Sequence, residues 1–589
     1  MKKYLFIALA ALGFAACEEK IGDQPHSGEV EQSYIAVSLS ASDLTTRAND
    51  DVYQEGLEAE RAVETAYFFF FKDNGDPFPV NVTDGSVDKP SLESNATNYL
   101  NASLTTTTGE NMDNVSDIKN VVLLLSSYVG DFPKQIVAVL NWVPTNKTYT
   151  LNNLKESLTD VRNNSEGDIK GKFIMSNAVY AKDGNAVYAT PLTADNIFTD
   201  EVNAKANPVT IYVERAAAKV TVTTTDGKTK FNLNKPVVIG GNSIEVYANI
   251  LGWELYNDYQ QSYLIKNIDP NWTNDNLGFT WNDSPWYRCY WASSQNGAFT
   301  DNEFSYEYAT SKSEHYNKYG YGFGNKTDVA NGTYADKTYT YCGENTGREA
   351  KDRTKIILKA QLQKENNDPV ELARWYTTEY LGEVDLRTAV ANTLKYTLYY
   401  KEGKNYIGLK PEDLQCVSPY DENGTPVTGA PSGIKSYQVF FQLSTTAETK
   451  TWYKNESGNK TPMSKDSSTD PYGKTATNEY LSANVKPAEL YKSGQTYYYI
   501  DIQHLGNVND TETQIGEYGI VRNHIYSINI NGIGGYGSPI YIGTSNIVTP
   551  PDPYEPGVGG GDDKSYVSAE VQVLSWRLVS QEVNITPNN

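Results

Sequence analysis

Apolar and polar residues alternate with a period of two along most of this chain. In Tyr34-Ile35-Ala36-Val37-Ser38-Leu39-Ser40, the residues Ile35, Val37 and Leu39 share one face and small or polar neighbours take the other, as in a half-buried β-strand. The same reading predicts strands at 66–71, 120–125, 135–140, 209–213, 219–224, 356–362, 394–400, 437–443, 496–502 and 524–530. Turn-forming groups such as Asp73-Asn74-Gly75-Asp76, Thr225-Asp226-Gly227 and Asp421-Glu422-Asn423-Gly424 lie between them. Helical spacing is confined to two short patches, 153–162 and 385–392. Many short strands joined by polar turns predict an all-β protein built of β-sandwich domains.

Two stretches break the pattern. Residues 253–341 are aromatic, Asn/Gly-rich and irregular, and hold five of the nine tryptophans. Residues 549–564 (TPPDPYEPGVGGGDDK) read as a linker, stiff at its prolines and loose at its glycines. Regular alternation then returns: Val567, Ala569, Val571 and Val573 share a face, the pattern switches to Leu574, Trp576 and Leu578, and switches again to Val579, Val583 and Ile585. A strand carried beyond a flexible linker must fold back onto its own sheet or be covered by another molecule.

Composition narrows the chemistry. The 589 residues carry 50 Lys+Arg against 73 Asp+Glu, a net charge of −23, so the basic face a nucleic-acid binder needs is not indicated. The 45 Tyr, 17 Phe and 9 Trp argue for a folded protein. Four His and four Cys leave little material for metal or imidazole chemistry. No CxxC occurs among Cys289, Cys342 and Cys416, and spacing selects no disulfide pair. Gly532-Ile533-Gly534-Gly535-Tyr536-Gly537 satisfies GxGxxG, but Ser538-Pro539-Ile540-Tyr541 follows in place of a helix, which favours a glycine-rich turn between strands. HExxH and GxSxG are missing from the sequence, and no cofactor or catalytic residue is assigned.

At the N-terminus, Lys2 and Lys3 precede an apolar run, 4–16, that is too short to span a bilayer and ends Phe14-Ala15-Ala16-Cys17. This resembles a bacterial lipoprotein signal, with Cys17 as the lipidated residue; the alternative is an ordinary signal peptide followed by a chance cysteine. Arg47 lies in Leu44-Thr45-Thr46-Arg47-Ala48-Asn49-Asp50, just after the 34–40 strand. An arginine followed by alanine in a polar loop suits a trypsin-like protease, and this one separates a detachable strand from the main body.

Several segments, in chain order, resemble the Bacteroidales fimbrillins, subunits of type V pili, and in particular the major shaft subunit of the short fimbriae. They are 135–141 (QIVAVLN), 213–222 (VERAAAKVTV), 290–292 (YWA), 341–346 (YCGENT), 497–502 (YYYIDI), 516–526 (GEYGIVRNHIY) and 573–577 (VLSWR). The resemblance implies two transthyretin-like β-sandwich domains with a C-terminal donor-strand segment, export as a lipoprotein, and cleavage between Arg47 and Ala48 by an Arg-specific protease. It divides the chain into a signal peptide (1–16), a propeptide with the removable first strand (17–47), an N-terminal sandwich (48–208), a C-terminal sandwich with long insertions (209–548), and a linker with the donor segment (549–589).

The expected function is that of a non-enzymatic shaft subunit, anchored to the outer membrane only through the lipid of its precursor and then assembled into a surface fimbrium for adhesion and colonisation. Its partners are other copies in a head-to-tail filament, anchor and tip fimbrial proteins, and the protease; nucleic acid is not among them. Physically, burying Ile35, Val37 and Leu39 at roughly 1.5–3 kcal/mol each makes on the order of 5–9 kcal/mol, so a sandwich that loses this strand is strongly driven to accept another. Strand addition supplies backbone hydrogen bonds and alternating pockets, and a head-to-tail contact propagates as an open filament. Donor residues would be Val571, Val573, Leu574, Trp576, Leu578, Val579, Val583 and Ile585. The alternative expectation is a surface lipoprotein that binds glycans through the aromatics of 253–341.

Overall fold

Phe68, Phe69, Phe70 and Phe71 are all fully buried, and so are the residues from Ile136 to Leu140 that run beside them. Such unbroken apolar runs belong to strands covered on both faces. In the computed structural model the described residues are 30–40, 53–55, 60, 62–81, 96–103, 121–128, 131–160, 171–182, 185–239, 242–256, 261–268, 339–346, 353–419, 421, 426–435, 438–504, 518–539 and 566–577.

The first strands along the chain are β1 (Val30–Ser40), β2 (Tyr53–Glu55), β3 (Thr65–Phe71), β4 (Tyr99–Ser103), β5 (Val121–Tyr128), β6 (Gln135–Leu140), β7 (Met175–Asn177) and β8 (Val209–Arg215). Except for β2, these form one curled sheet in the order β4-β3-β6-β7-β8-β1-β5. Phe68, Phe70, Ile136 and Ala138 pack across its interior against Ile35, Val37, Leu123, Leu125 and Ile211. The outer face of β3 and β6 is covered in turn by Tyr149, Leu154, Leu264, Ile265 and Val521, which explains why neither strand alternates.

The chain crosses to a second sandwich through Ala216-Ala217. The sequence division at 208/209 gave Val209–Arg215 to that second unit, but β8 pairs with β7 and β1 in the first sheet. The sheet changes only at β9 (Ala218–Thr224), which is followed by β10 (Lys230–Asn232), β11 (Tyr247–Tyr256), β12 (Tyr339–Cys342) and β13 (Lys355–Gln363).

Next comes an inserted unit with its own core. Its strands are β14 (Leu372–Trp375), β15 (Thr378–Leu381), β16 (Leu398–Glu402), β17 (Asn405–Gly408), β18 (Leu414–Val417), β19 (Gln438–Leu443), β20 (Trp452–Glu456), β21 (Asn459–Pro462) and β22 (Ala488–Tyr491). They make two sheets, β15-β14-β22-β19-β18 and β17-β16-β20-β21. Helices α1 (Gly382–Leu394) and α2 (Lys474–Asn484) contribute Leu386, Val390 and Leu481 to a core centred on Trp452, Tyr400 and Phe441. The strand expected at 394–400 is shortened because α1 runs to Leu394 and a turn follows before β16 begins at Leu398.

The second sandwich is completed by β23 (Gln495–Asp501), β24 (His524–Gly534), β25 (Ser538–Pro539) and β26 (Tyr566–Arg577). Its sheets are β12-β9-β24-β26-β2 and β10-β11-β13-β23-β25, with Trp253, Leu358, Tyr498, Tyr526 and Ile528 between them. The GxGxxG run is a strand-to-strand turn: Gly532 sits at a bulge in β24, Gly535 and Gly537 both have φ of 74°, and β25 pairs with β23. A Cβ on Gly537 would stand 2.4 Å from Thr496 Oγ1, so the turn is fitted to glycine by space as well as by φ. The chain is all-β with few helices, as the alternation predicts.

Candidate assembly site

β1 is a strap with two halves. Residues Val30–Val37 pair antiparallel with Tyr128–Val121 of β5, whereas Val37–Ser40 pair parallel with Val209–Tyr212 of β8. Only Val37 is common to both ladders. Ile35 and Val37 are fully buried and Ala36 nearly so, which puts two of the three residues singled out from the alternation in the first core. Leu39 stands opposite Ile211 in the parallel register. Tyr34 also exchanges backbone hydrogen bonds with Phe198, at 2.7 and 3.0 Å. Withdrawing β1 would open a slot between β8 and β5 that is about eleven residues long and walled by Leu123, Leu125, Val209 and Ile211.

The tail strand β26 lies in the other sandwich. It is twelve residues long and pairs antiparallel with β24, placing Val573, Val571 and Ala569 opposite Tyr526, Ile528 and Ile530. Leu574 stands opposite Ile525, itself a member of the first core. The far edge of β26 is occupied by β2, with Tyr53, Gln54 and Glu55 in parallel register with Ser575, Trp576 and Arg577. The tail therefore folds back onto its own chain. Of the expected donor residues, Val571, Val573, Leu574 and Trp576 lie in this strand. Leu578, Val579, Val583 and Ile585 lie outside the described residues, as do Cys17, Arg47 and Ala48.

A buried polar cluster joins the two sandwiches close to these strands. Lys219 Nζ donates to Glu60 Oε1 at 2.8 Å, the Tyr341 hydroxyl donates to the same oxygen, and Arg215 Nε donates to the Glu60 carbonyl at 2.7 Å. Beside it, Arg522 Nε donates to Glu344 Oε2 at 2.8 Å and Lys266 Nζ to Glu214 Oε2 at 3.0 Å. Burial raises the Glu214 carboxyl above its ordinary value, partly offset by Lys266 and Arg522. Asn523, at φ 58°, turns the chain into β24 and accepts from the Arg215 backbone N–H. The 213–222, 341–346 and 516–526 segments, quoted above only for their resemblance, thus converge on one junction. Their spacing along the chain does not show this, because the partners Arg522 and Glu344 are 178 residues apart.

The aromatic stretch 253–341 is described only at its ends. There Trp253 is fully buried in the second core, which removes it from any sugar-stacking surface. Cys342 and Cys416 are buried in separate cores, while Cys289 lies outside the described residues. Among the described residues no group of three or more His, Cys, Asp or Glu could hold a metal ion, and no helix is long and apolar enough to cross a membrane.

Residues 489–582 match the family model described as Major fimbrial subunit protein type IV, Fimbrillin, C-terminal. The matched stretch runs from β22 through β26, so it contains the 516–526 segment at the junction and the tail strand. No curated protein matches the chain. Among solved structures, a fimbrilin (FimA) from Porphyromonas gingivalis W83 is 13% identical, covering 93% of this chain and 98% of its own, with a TM-score of 0.35. A cell adhesion protein from Parabacteroides distasonis is 12% identical at 93% and 98% coverage, with a TM-score of 0.36. The tip fimbrial protein Mfa3 from Porphyromonas gingivalis is 10% identical at 93% and 100% coverage, with a TM-score of 0.30. The family match supports the resemblance to a fimbrillin over this C-terminal stretch and, with it, a fimbrial subunit.

Proposed function

We propose that this chain is a shaft-type fimbrial subunit, exported as a lipoprotein through Cys17, whose assembly is gated by cleavage between Arg47 and Ala48. The observation that carries this reading is the seat of β1. It is an internal strand of the first sheet, it fills that core with Ile35 and Val37, and it is followed seven residues later by Arg47. Removing it exposes two unpaired ladders and apolar walls, an arrangement that binds an extended strand from another chain. The tail strand has a suitable length, twelve residues against eleven, and an alternating stretch from Val567 to Val573. Donation from one copy into the slot of the next is head-to-tail and so propagates without closing.

Cleavage also bears on the donor. β2 lies between Arg47 and the buried anchor Glu60, and it is the strand that closes the outer edge of β26. A cut after Arg47 leaves β2 on a free end tethered at Glu60, so a single proteolytic event loosens both the strap over the acceptor slot and the rail over the donor. Accessory tip and anchor proteins would occupy the ends of the filament, and adhesion follows from the assembled fibre. The test is Arg47→Ala: the variant should accumulate as full-length, lipidated monomer on the outer membrane, with no fibres in sheared surface material. Fibres of ordinary length from that variant would refute the gating.

A further inference from the structure

Two segments of the inserted unit carry a local charge opposite to that of the whole chain. Residues 395–410 hold Lys395, Lys401, Lys404 and Lys410 against Glu402, and residues 450–465 hold Lys450, Lys454, Lys460 and Lys465 against Glu456. Together these two hairpin segments carry +6 within a chain of −23, leaving −29 (−23 less +6) for the remainder. Both belong to the sheet β17-β16-β20-β21. Its inner face is committed to the core through Leu398, Tyr400 and Trp452. Its outer face presents Tyr399, Lys401, Tyr406, Tyr453, Asn455 and Lys460, which the register places opposite one another across the four strands.

That face is organised by cations on rings. Lys460 Nζ lies 3.9 Å from the centroid of Tyr399, Lys401 Nζ lies 5.9 Å from that of Tyr406, and Tyr406 meets Tyr453 edge-on at 5.0 Å. A ring holds an ammonium on one side and leaves its remaining N–H groups to solvent, so less side-chain freedom is lost when an anion binds. Lys410, Lys450 and Lys454 are partly neutralised by Glu412, Asp413 and Glu456. Lys401, Lys404 and Lys460 have no carboxylate partner among the described residues.

We propose that this outer sheet face binds an anionic polysaccharide, a glycan chain bearing carboxylate or sulfate groups. Lys401 on β16 and Lys460 on β21 are two strands and, by the register, four residues apart, roughly 16 Å between backbones, while the Lys460 ammonium reaches back over Tyr399, two residues from Lys401 on its own strand. Sparse charge of that kind suits a polymer with about one anion per repeat. A duplex nucleic acid, with a charge every ~1.7 Å, would meet the strongly acidic remainder of the chain at many points. Screening over ~8 Å at physiological salt lets the local patch outweigh the distant negative charge. The exposed edges of Tyr406 and Tyr453 offer apolar surface to the C–H faces of sugar rings. This binding requires neither cleavage nor assembly, so it stands or falls apart from the filament reading.

The test uses the full-length protein and immobilised chondroitin sulfate, with neutral dextran and duplex DNA as comparators and sedimentation at low salt as a second readout. The wild type should bind chondroitin sulfate, ignore dextran and bind DNA at least tenfold more weakly. The triple variant Lys401→Gln, Lys404→Gln, Lys460→Gln should lose at least tenfold in affinity, show a shallower salt dependence and keep the wild-type melting temperature. Tyr406→Ala should weaken binding with no change of charge. Absence of wild-type binding, equal binding by the triple variant, or equal affinity for DNA would overturn the proposal. Low-salt self-association that the triple variant abolishes and chondroitin sulfate does not compete would also overturn it, by naming a second copy as the occupant.

Discussion

Tyr53 stands in parallel register with Ser575, so a strand only six residues beyond Arg47 forms the outer rail of the C-terminal tail. The segment that proteolysis would set loose and the segment that would be donated are therefore hydrogen-bonded neighbours in the uncut chain. Three paired residues are few, and a short parallel ladder is a weak clasp that can be released without unfolding either sandwich.

Replacing Gln54 with proline removes a backbone donor from that rail and disfavours its pairing. Amide exchange across 566–577 should then quicken at least tenfold while exchange in β1 stays as in the wild type. Hydrogen exchange read by mass spectrometry on the uncut protein checks this; an unchanged tail would show that β2 does not hold it.

Ile35→Ala should destabilise the uncut protein by about 2–5 kcal/mol, because the side chain is fully buried and leaves a cavity beside Leu123 and Ile211. The same substitution should leave the stability of protein already cut after Arg47 unchanged once β1 has departed. Chemical denaturation of the two forms separates these outcomes, and equal losses in both would mean that β1 remains seated after cleavage.

The junction carries a pH dependence of defined sign. Burial raises the Glu214 pKa in the folded chain above its ordinary value, so its contribution to stability is fully present below that ordinary value and is lost as pH rises through the folded pKa. Glu214→Gln keeps the shape and an acceptor for Lys266 and removes the titration. Its stability relative to wild type should increase from acid toward neutral pH and then level off. Denaturant melts across pH 4–9 read this directly, and a difference that stays constant or falls with pH would contradict it.

Cys416 is buried in the inserted core, and burial pushes its thiol pKa strongly upward. It should resist iodoacetamide at pH 8 in the folded protein and react at once in denaturant. Rapid labelling of Cys416 in the folded state would place the inserted core open to solvent.

Much of this architecture was legible because strand alternation is a local signal. The strands around 135–140 and 219–224 were placed within a residue of their ends, and the alternation at 34–40 located a strand whose Ile35 and Val37 are core. What stayed hidden was set by partners far away in sequence. β2 is three residues with no period of its own, and it is a strand only because β26 lies beside it. Helix α2 is not legible as an amphipathic stripe because Thr477 and Leu481 are its only fully buried positions. The Glu60, Lys219 and Tyr341 contact was invisible because 281 residues separate its ends. The tail pattern was plain in sequence, but its docking on β24 was not, since the residues opposite it carry an equally ordinary alternation.

A map of the assembled fibre at side-chain detail tests strand exchange most directly. The strand lying between β8 and β5 should be residues 566–577 of the neighbouring subunit, with 30–40 gone and the first ordered residue at or after Ala48. Residues 30–40 still seated against Leu123 and Ile211, or 566–577 still paired with β24 of their own chain, would contradict it.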